Sequence, residues 1–163
     1  KQDISLLSFH LWRDVHPEGG NNVQLAPHLD ITVEGPLDPE NPRVVGLIGS
    51  LAEPMSAGDF ARRVREVMGR EPLVVEGEGM IRRVGWCTGG GQGYIDNAIA
   101  AGVDLFISGE ASEQTYHSAR ENGISFIAAG HHATERYGVQ ALGDYLAKRF
   151  ALEHLFIDCP NPI

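Results

Sequence analysis

Residues 103–150 read VDLFISGEASEQTYHSARENGISFIAAGHHATERYGVQALGDYLAKRF, and their patterning decides the fold. The apolar runs 103–108 and 124–129 read as strands. Residues 112–121 and 131 to about 150 carry helical patterning between and after them. Just upstream, residues 92–101 read as a helix closed by Gly102, and just downstream 155–158 read as a last strand. Strand and helix in alternation predict βαβ units with right-handed crossovers, hence an α/β fold with a largely parallel sheet flanked by helices.

Farther upstream the signals are shorter. Residues 72–75 and 81–87 are strand-like. Ser56 followed by Asp59 resembles a capping box, and Phe60, Val64 and Met68 recur at four-residue spacing, so a helix is expected over about 57–69, ended by Gly69. Before that, Ile31-Thr32-Val33 and residues 44–48 are β-rich, and residues 22–29 suit a short helix limited by Pro27. The chain opens KQDISLLSFHLW without a Met, and Ile4, Leu6 and Leu7 look like the end of an element already under way. A processed or truncated N-terminus is consistent with this.

Composition narrows the function classes. The 163 residues suffice for one globular domain, and with 42% apolar and 21% charged residues the balance is that of an ordinary folded protein. Thirteen Lys+Arg against 22 Asp+Glu give a formal charge of -9, a field that repels phosphate backbones and disfavours nucleic-acid binding. An acidic protein can still hold anionic substrates where metal ions supply positive charge. Cys87 and Cys159 match no zinc spacing and suggest no disulfide framework. With no secretory leader and no apolar run of membrane-spanning length, the expected address is the cytoplasm.

Four stretches can carry chemistry. In Gly130-His131-His132-Ala133-Thr134-Glu135, His131 and Glu135 are four apart and share one face of a first helical turn beyond a strand end. An imidazole and a carboxylate so placed can grip a divalent ion, although the same spacing arises where Glu135 only favours a helix N-terminus. The glycine-rich run from Gly85 to Gly93 fits either a backbone approach to an anion or tight loop packing, and it lacks the Lys-Ser/Thr of a phosphate loop. At the next strand end, Glu110 and His117 are candidate catalytic groups, with Ser112 reading as a helix cap and Glu113 as a favourable first-turn acid. Near the start, His10, Asp14 and His16 share a parity and would face one side if that stretch is extended.

Taken together, CTGGGQGYID, FISGEASEQTYHSARENG, AAGHHATERYG, FIDCPNP and HLWRDVHPEGGNNVQLA resemble the YbgI-type (NGG-interacting-factor-like) family, whose members are known as GTP cyclohydrolase I type 2 homologues. The resemblance covers essentially the whole chain, which looks like the C-terminal part of such a protein. It implies a YbgI-like α/β subunit assembling into homohexameric rings. It also implies two divalent metal ions per full-length subunit (zinc, manganese, iron or nickel), with Asp14, His131 and Glu135 among their ligands. An earlier segment with paired histidines would supply further ligands, and His131-His132 does not stand in for it because it matches the later motif. The activity implied is metal-dependent hydrolysis of a small molecule, with Glu110 or His117 assisting; the other reading is a non-catalytic metal-containing scaffold or regulator.

Overall fold

The computed structural model describes residues 3–8, 10–159 and 161–162. The chain runs through α1 (Leu11–Val15), α2 (Asn21–His28), β1 (Ile31–Pro36), β2 (Leu47–Met55), α3 (Ala57–Met68), β3 (Leu73–Val75) and β4 (Ile81–Cys87). A 3₁₀ turn (Gln92–Tyr94) then leads into α4 (Ile95–Ala100), β5 (Leu105–Ser108), α5 (Glu113–Glu121), β6 (Ser125–Ala128), α6 (His131–Thr134) and α7 (Arg136–Phe150). No helix among the described residues is long and apolar enough to cross a membrane.

The strands form one six-stranded sheet in the order β1-β2-β4-β5-β6-β3. Its centre is parallel, as the alternation of strands and helices requires: Val84 lies beside Leu105, and Leu105 beside Ser125. All four residues of β5 are buried because helices cover both faces. Leu105 and Ile107 point into a core shared with Leu25, Phe60, Val64, Trp86 and Tyr137. Phe106, between them, points into a second core with Ile95, Ala98, Ala119 and Phe126. The two-residue strand period thus sorts one short run into two layers.

The sheet as a whole is mixed rather than largely parallel. The β1–β2, β2–β4 and β3–β6 pairings are antiparallel, and only the two central pairings are parallel. Residues 37–46 join β1 to β2 without a helix, so the chain turns back beside itself instead of crossing over. The apolar run at 44–48 contributes to β2 only from Leu47; Val44 is buried in the preceding turn.

Helix α3 matches expectation closely. The Ser56 hydroxyl accepts the Asp59 backbone N–H at 3.1 Å, and Gly69 ends the helix at φ 70°. Phe60 and Val64 are fully buried, each side chain contributing about 1.5–3 kcal/mol of transfer free energy.

Three other stretches lie outside the sheet. Residues 10–16 are not extended: Leu11–Val15 is a helical turn, which removes the shared parity of His10, Asp14 and His16. Residues 155–158 form no strand; they run outside the sheet past α6 and α7, tied by Asp158 to Arg136 at 2.9 Å and to His132 at 3.5 Å. Ile4, Leu6 and Leu7 belong to no regular element and are exposed.

Candidate functional site

The site forms where β4, β5 and β6 end. The loops that follow these strands are tied by backbone hydrogen bonds, Gly109 N–H to Gly89 O at 2.8 Å and Gly130 N–H to Gly109 O at 2.9 Å. Gly89 N–H reaches the Thr134 hydroxyl at 2.9 Å, which ties the first loop to α6. So close an approach leaves no room for side chains. A Cβ on Gly109 would stand 2.7 Å from the His131 Cα, and one on Gly89, where φ is +65°, would run into the Glu135 carboxylate and the His131 ring.

His131 and Glu135 face each other, as their spacing predicts, with His131 Nε2 3.4 Å from Glu135 Oε2. The helix is not continuous through them. It breaks at Glu135, which has φ −101° and ψ 9°, so α6 is a single turn and α7 starts afresh at Arg136. On the other side of the imidazole, His131 Nδ1 lies 2.6 Å from Glu110 Oε1. The second oxygen of Glu110 accepts from the Gln92 amide at 3.3 Å.

The electrostatics follow from these contacts. The hydrogen bond to Glu110 pushes the His131 pKa up against a downward pull from burial. The same bond holds the Glu110 carboxyl below its ordinary range. Burial pushes the Glu135 carboxyl up; His131 pulls it back down, while the charge of Asp14 adds to the rise. Burial, then Asp14 and Glu135, push the Cys87 thiol up to about 12, so Cys87 is a neutral thiol.

Asp14 is buried on α1, and its charge is felt at both Glu135 and Cys87. Asn21 donates to its Oδ1 at 2.9 Å, and Asn22 to its backbone oxygen at 3.1 Å. Asn22 also accepts Thr88 N–H and, through its backbone oxygen, the Trp86 indole, each at 2.8 Å. Asn22 therefore locks the early segment onto the end of β4 and the loop after it, while Asn21 ties Asp14 to Gly138 of α7. The sequence pattern set Asn22 at the start of a short helix but gave neither asparagine a part in the site; adjacent asparagines just after a candidate ligand were the available signal.

His117 does not join the cluster. It is exposed on α5, its ring edge-on to Tyr116 with centroids 5.4 Å apart. His16 caps the turn after α1 by accepting Gly19 N–H at 3.0 Å. His131 and Glu135 instead border a cleft of about 450 Å³, closed on its far side by Phe156, Ile157 and Cys159 of the C-terminal stretch.

Sequence and fold comparisons agree on kinship. The profile of Duf34/NIF3 (NGG1p interacting factor 3) matches residues 1–162. The chain belongs to the Duf34/NIF3 family. Among its relatives, a "GTP cyclohydrolase 1 type 2 homolog" of Pseudomonas aeruginosa is 74% identical over 98% of this chain and 64% of its own length. A protein of the same name from Haemophilus influenzae is 52% identical over the same shares. A solved structure described as protein ybgI, of unknown function, superposes with a TM-score of 0.88 at 49% identity, covering 95% of this chain and 62% of that one. The protein TTHA1606 of Thermus thermophilus superposes at 0.80 and 34% identity, covering 94% and 60%. This Duf34/NIF3 chain thus spans less than two thirds of the length of those relatives.

Whether the residues present suit a divalent ion is tested at Gly89. With no Cβ at Gly89, Glu135 Oε1 and His131 Nε2 close together on its backbone, with the charge of Asp14 nearby. Carboxylate oxygens and an imidazole nitrogen are donors that zinc, manganese, iron and nickel all accept. Among the described residues no three His, Cys, Asp or Glu side chains stand together as a complete metal-holding group. The donors fit an ion, but as a partial set.

Proposed function

We propose that this chain supplies Asp14, His131 and Glu135 to a dinuclear metal site of a metal-dependent hydrolase, with further ligands coming from the rest of the full-length protein. The observation that carries the reading is the arrangement of His131. One ring nitrogen is taken by Glu110, and the other is turned toward Glu135, the two donors packed against the backbone of Gly89.

Bound ions would supply an activated water and a clamp on the oxygens of the reacting centre. The chain's own residues do the rest. Asp14, held by Asn21, and Glu135, set at the break between α6 and α7, would hold the ions. His131 would offer Nε2 to an ion. The cleft beside it suits a small molecule, and the names of the relatives point to GTP or a similar purine nucleotide. Assembly of the full-length protein into a homohexamer belongs to the same proposal.

A non-catalytic metal-containing scaffold is the second reading, favoured by the partial ligand set of the described residues. One experiment separates the two. Full-length protein is purified, its metal content measured, and its turnover of GTP followed by the change in purine absorbance. About two ions per subunit with metal-dependent turnover supports the hydrolase. About two ions without turnover of GTP or related nucleotides supports the scaffold, and no tightly held metal contradicts both.

A further inference from the structure

Glu110 stands behind His131 rather than in front of it. The cleft bordered by His131 and Glu135 does not include Glu110, which lines a separate depression with Arg70, Gly109 and Gly130. A carboxylate there cannot hand protons to a molecule in the cleft except through the imidazole. What it does reach is Nδ1 of His131, at 2.6 Å.

A neutral imidazole carries one N–H and one lone pair, and the hydrogen bond made by one nitrogen decides which atom has which. An ionised carboxylate only accepts. Of the two carboxylates at the ring, Glu110 is the nearer, 2.6 Å from Nδ1 against 3.4 Å from Nε2 to Glu135, so in a neutral ring the geometry favours the hydrogen on Nδ1 and the lone pair on Nε2. The backbone keeps this pairing in register. Gly130 N–H is bonded to Gly109 O, one residue before Glu110, and Gly109 packs without a Cβ directly against the His131 Cα. Glu110 is braced in turn: its other oxygen accepts from the Gln92 amide, whose own buried side-chain oxygen has no partner. Of the two polar ends of Gln92, the one used is the one that faces Glu110.

We propose that Glu110, braced by Gln92, is a positioning residue that fixes His131 as the Nδ1–H tautomer and presents Nε2 to the metal ion. This rests on the reading of His131 as a metal ligand. It assigns Glu110 no contact with substrate and no proton transfer of its own.

The test uses the full-length protein and its Glu110→Ala, Glu110→Gln and Gln92→Leu variants. Zinc affinity is measured by competition with a chromophoric chelator. The His131 tautomer is read from ¹⁵N imidazole shifts of the zinc-free proteins at alkaline pH, where the ring is neutral. Glu110→Ala should lower zinc affinity about 10–100-fold and shift the ring toward the Nε2–H form. Glu110→Gln, which keeps an acceptor and the shape, should recover much of both, and Gln92→Leu should give a smaller loss than Glu110→Ala. If Glu110→Ala does not fold, the isosteric Glu110→Gln still reports on the tautomer. A wild-type ring that is not Nδ1–H overturns the proposal, as does a Glu110→Ala protein that loses stability but keeps its tautomer and affinity. Wild-type protein that binds no zinc yet shows the tautomer shift in its variants contradicts the metal reading while upholding the placement of the ring by Glu110.

Discussion

Asn21 donates its side-chain amide to Asp14 Oδ1 at 2.9 Å and accepts Gly138 N–H on its own oxygen at 2.8 Å, so one buried residue joins the remote aspartate to helix α7. Replacing it with leucine leaves a carboxylate oxygen and a backbone N–H without partners in a buried setting. Asn21→Leu is expected to cost about 2–4 kcal/mol, read as a lower midpoint in urea denaturation with an unchanged slope. Asn21→Asp keeps an acceptor for Gly138 but sets two carboxylates side by side, so its deficit should shrink as the pH is lowered. A loss that does not depend on pH would mean that the two carboxyl groups do not meet.

The φ of +65° at Gly89 and its contact with Glu135 and His131 both exclude a side chain. Gly89→Ala should displace Glu135 and destabilise the fold by about 1–3 kcal/mol. Gly93→Ala is the control: nothing lies within 4 Å of a Cβ there, and its effect should stay within about 0.5 kcal/mol. Thermal melts of the two variants side by side make the comparison, and equal shifts would contradict the close packing at Gly89.

The two cysteines should differ in reactivity. Cys87 is buried with its thiol pushed up to about 12, and Cys159 is exposed. Iodoacetamide under native conditions should label Cys159 and spare Cys87, with mass spectrometry of peptides as the readout. The linkage has a definite sign. The folded pKa of Cys87 lies above the ordinary thiol value of 9.0, so the unfolded chain gives up its proton first as pH rises. The stabilisation is fully present below about pH 9 and is lost as pH climbs toward about 12. Cys87→Ala should flatten that alkaline decline; an unchanged decline would assign it to other groups.

Much of this was legible in the residues because the parts concerned are local. The 103–129 stretch announced two strands and the helix between them, and both strands are central and parallel. Ser56, Phe60, Val64 and Gly69 wrote out a complete helix with its cap and its stop. The failures lie where tertiary contacts outweigh local pattern. The apolar run at 155–157 reads as a strand but runs past α6 and α7, where Arg136 and His132 take Asp158, instead of joining the sheet. The sequence left the conformation of residues 10–16 open; they form a helical turn in which Asp14 is held by Asn21 and Asn22. At the site, the four-residue spacing of His131 and Glu135 held, but periodicity could not foresee the break at Glu135. Glu110, nearest the end of its strand, points by position toward the same sheet edge as His131 and does meet it, whereas His117 lies farther along α5 and does not.

The measurement that bears most directly on the metal reading compares Glu135, at the break after α6, with His132 inside that helix. His132 lies roughly 100° around the helix from His131, and its ring faces Asp158 at 3.5 Å rather than Glu135. Zinc affinity of the full-length protein is determined by chelator competition for wild type, Glu135→Gln and His132→Gln, with circular dichroism confirming the fold of each. Glu135→Gln is expected to weaken zinc binding on the order of 100-fold or more, and His132→Gln to leave it within about threefold. Equal losses from the two substitutions, or full affinity in Glu135→Gln, would contradict the assignment of Glu135 as a metal ligand.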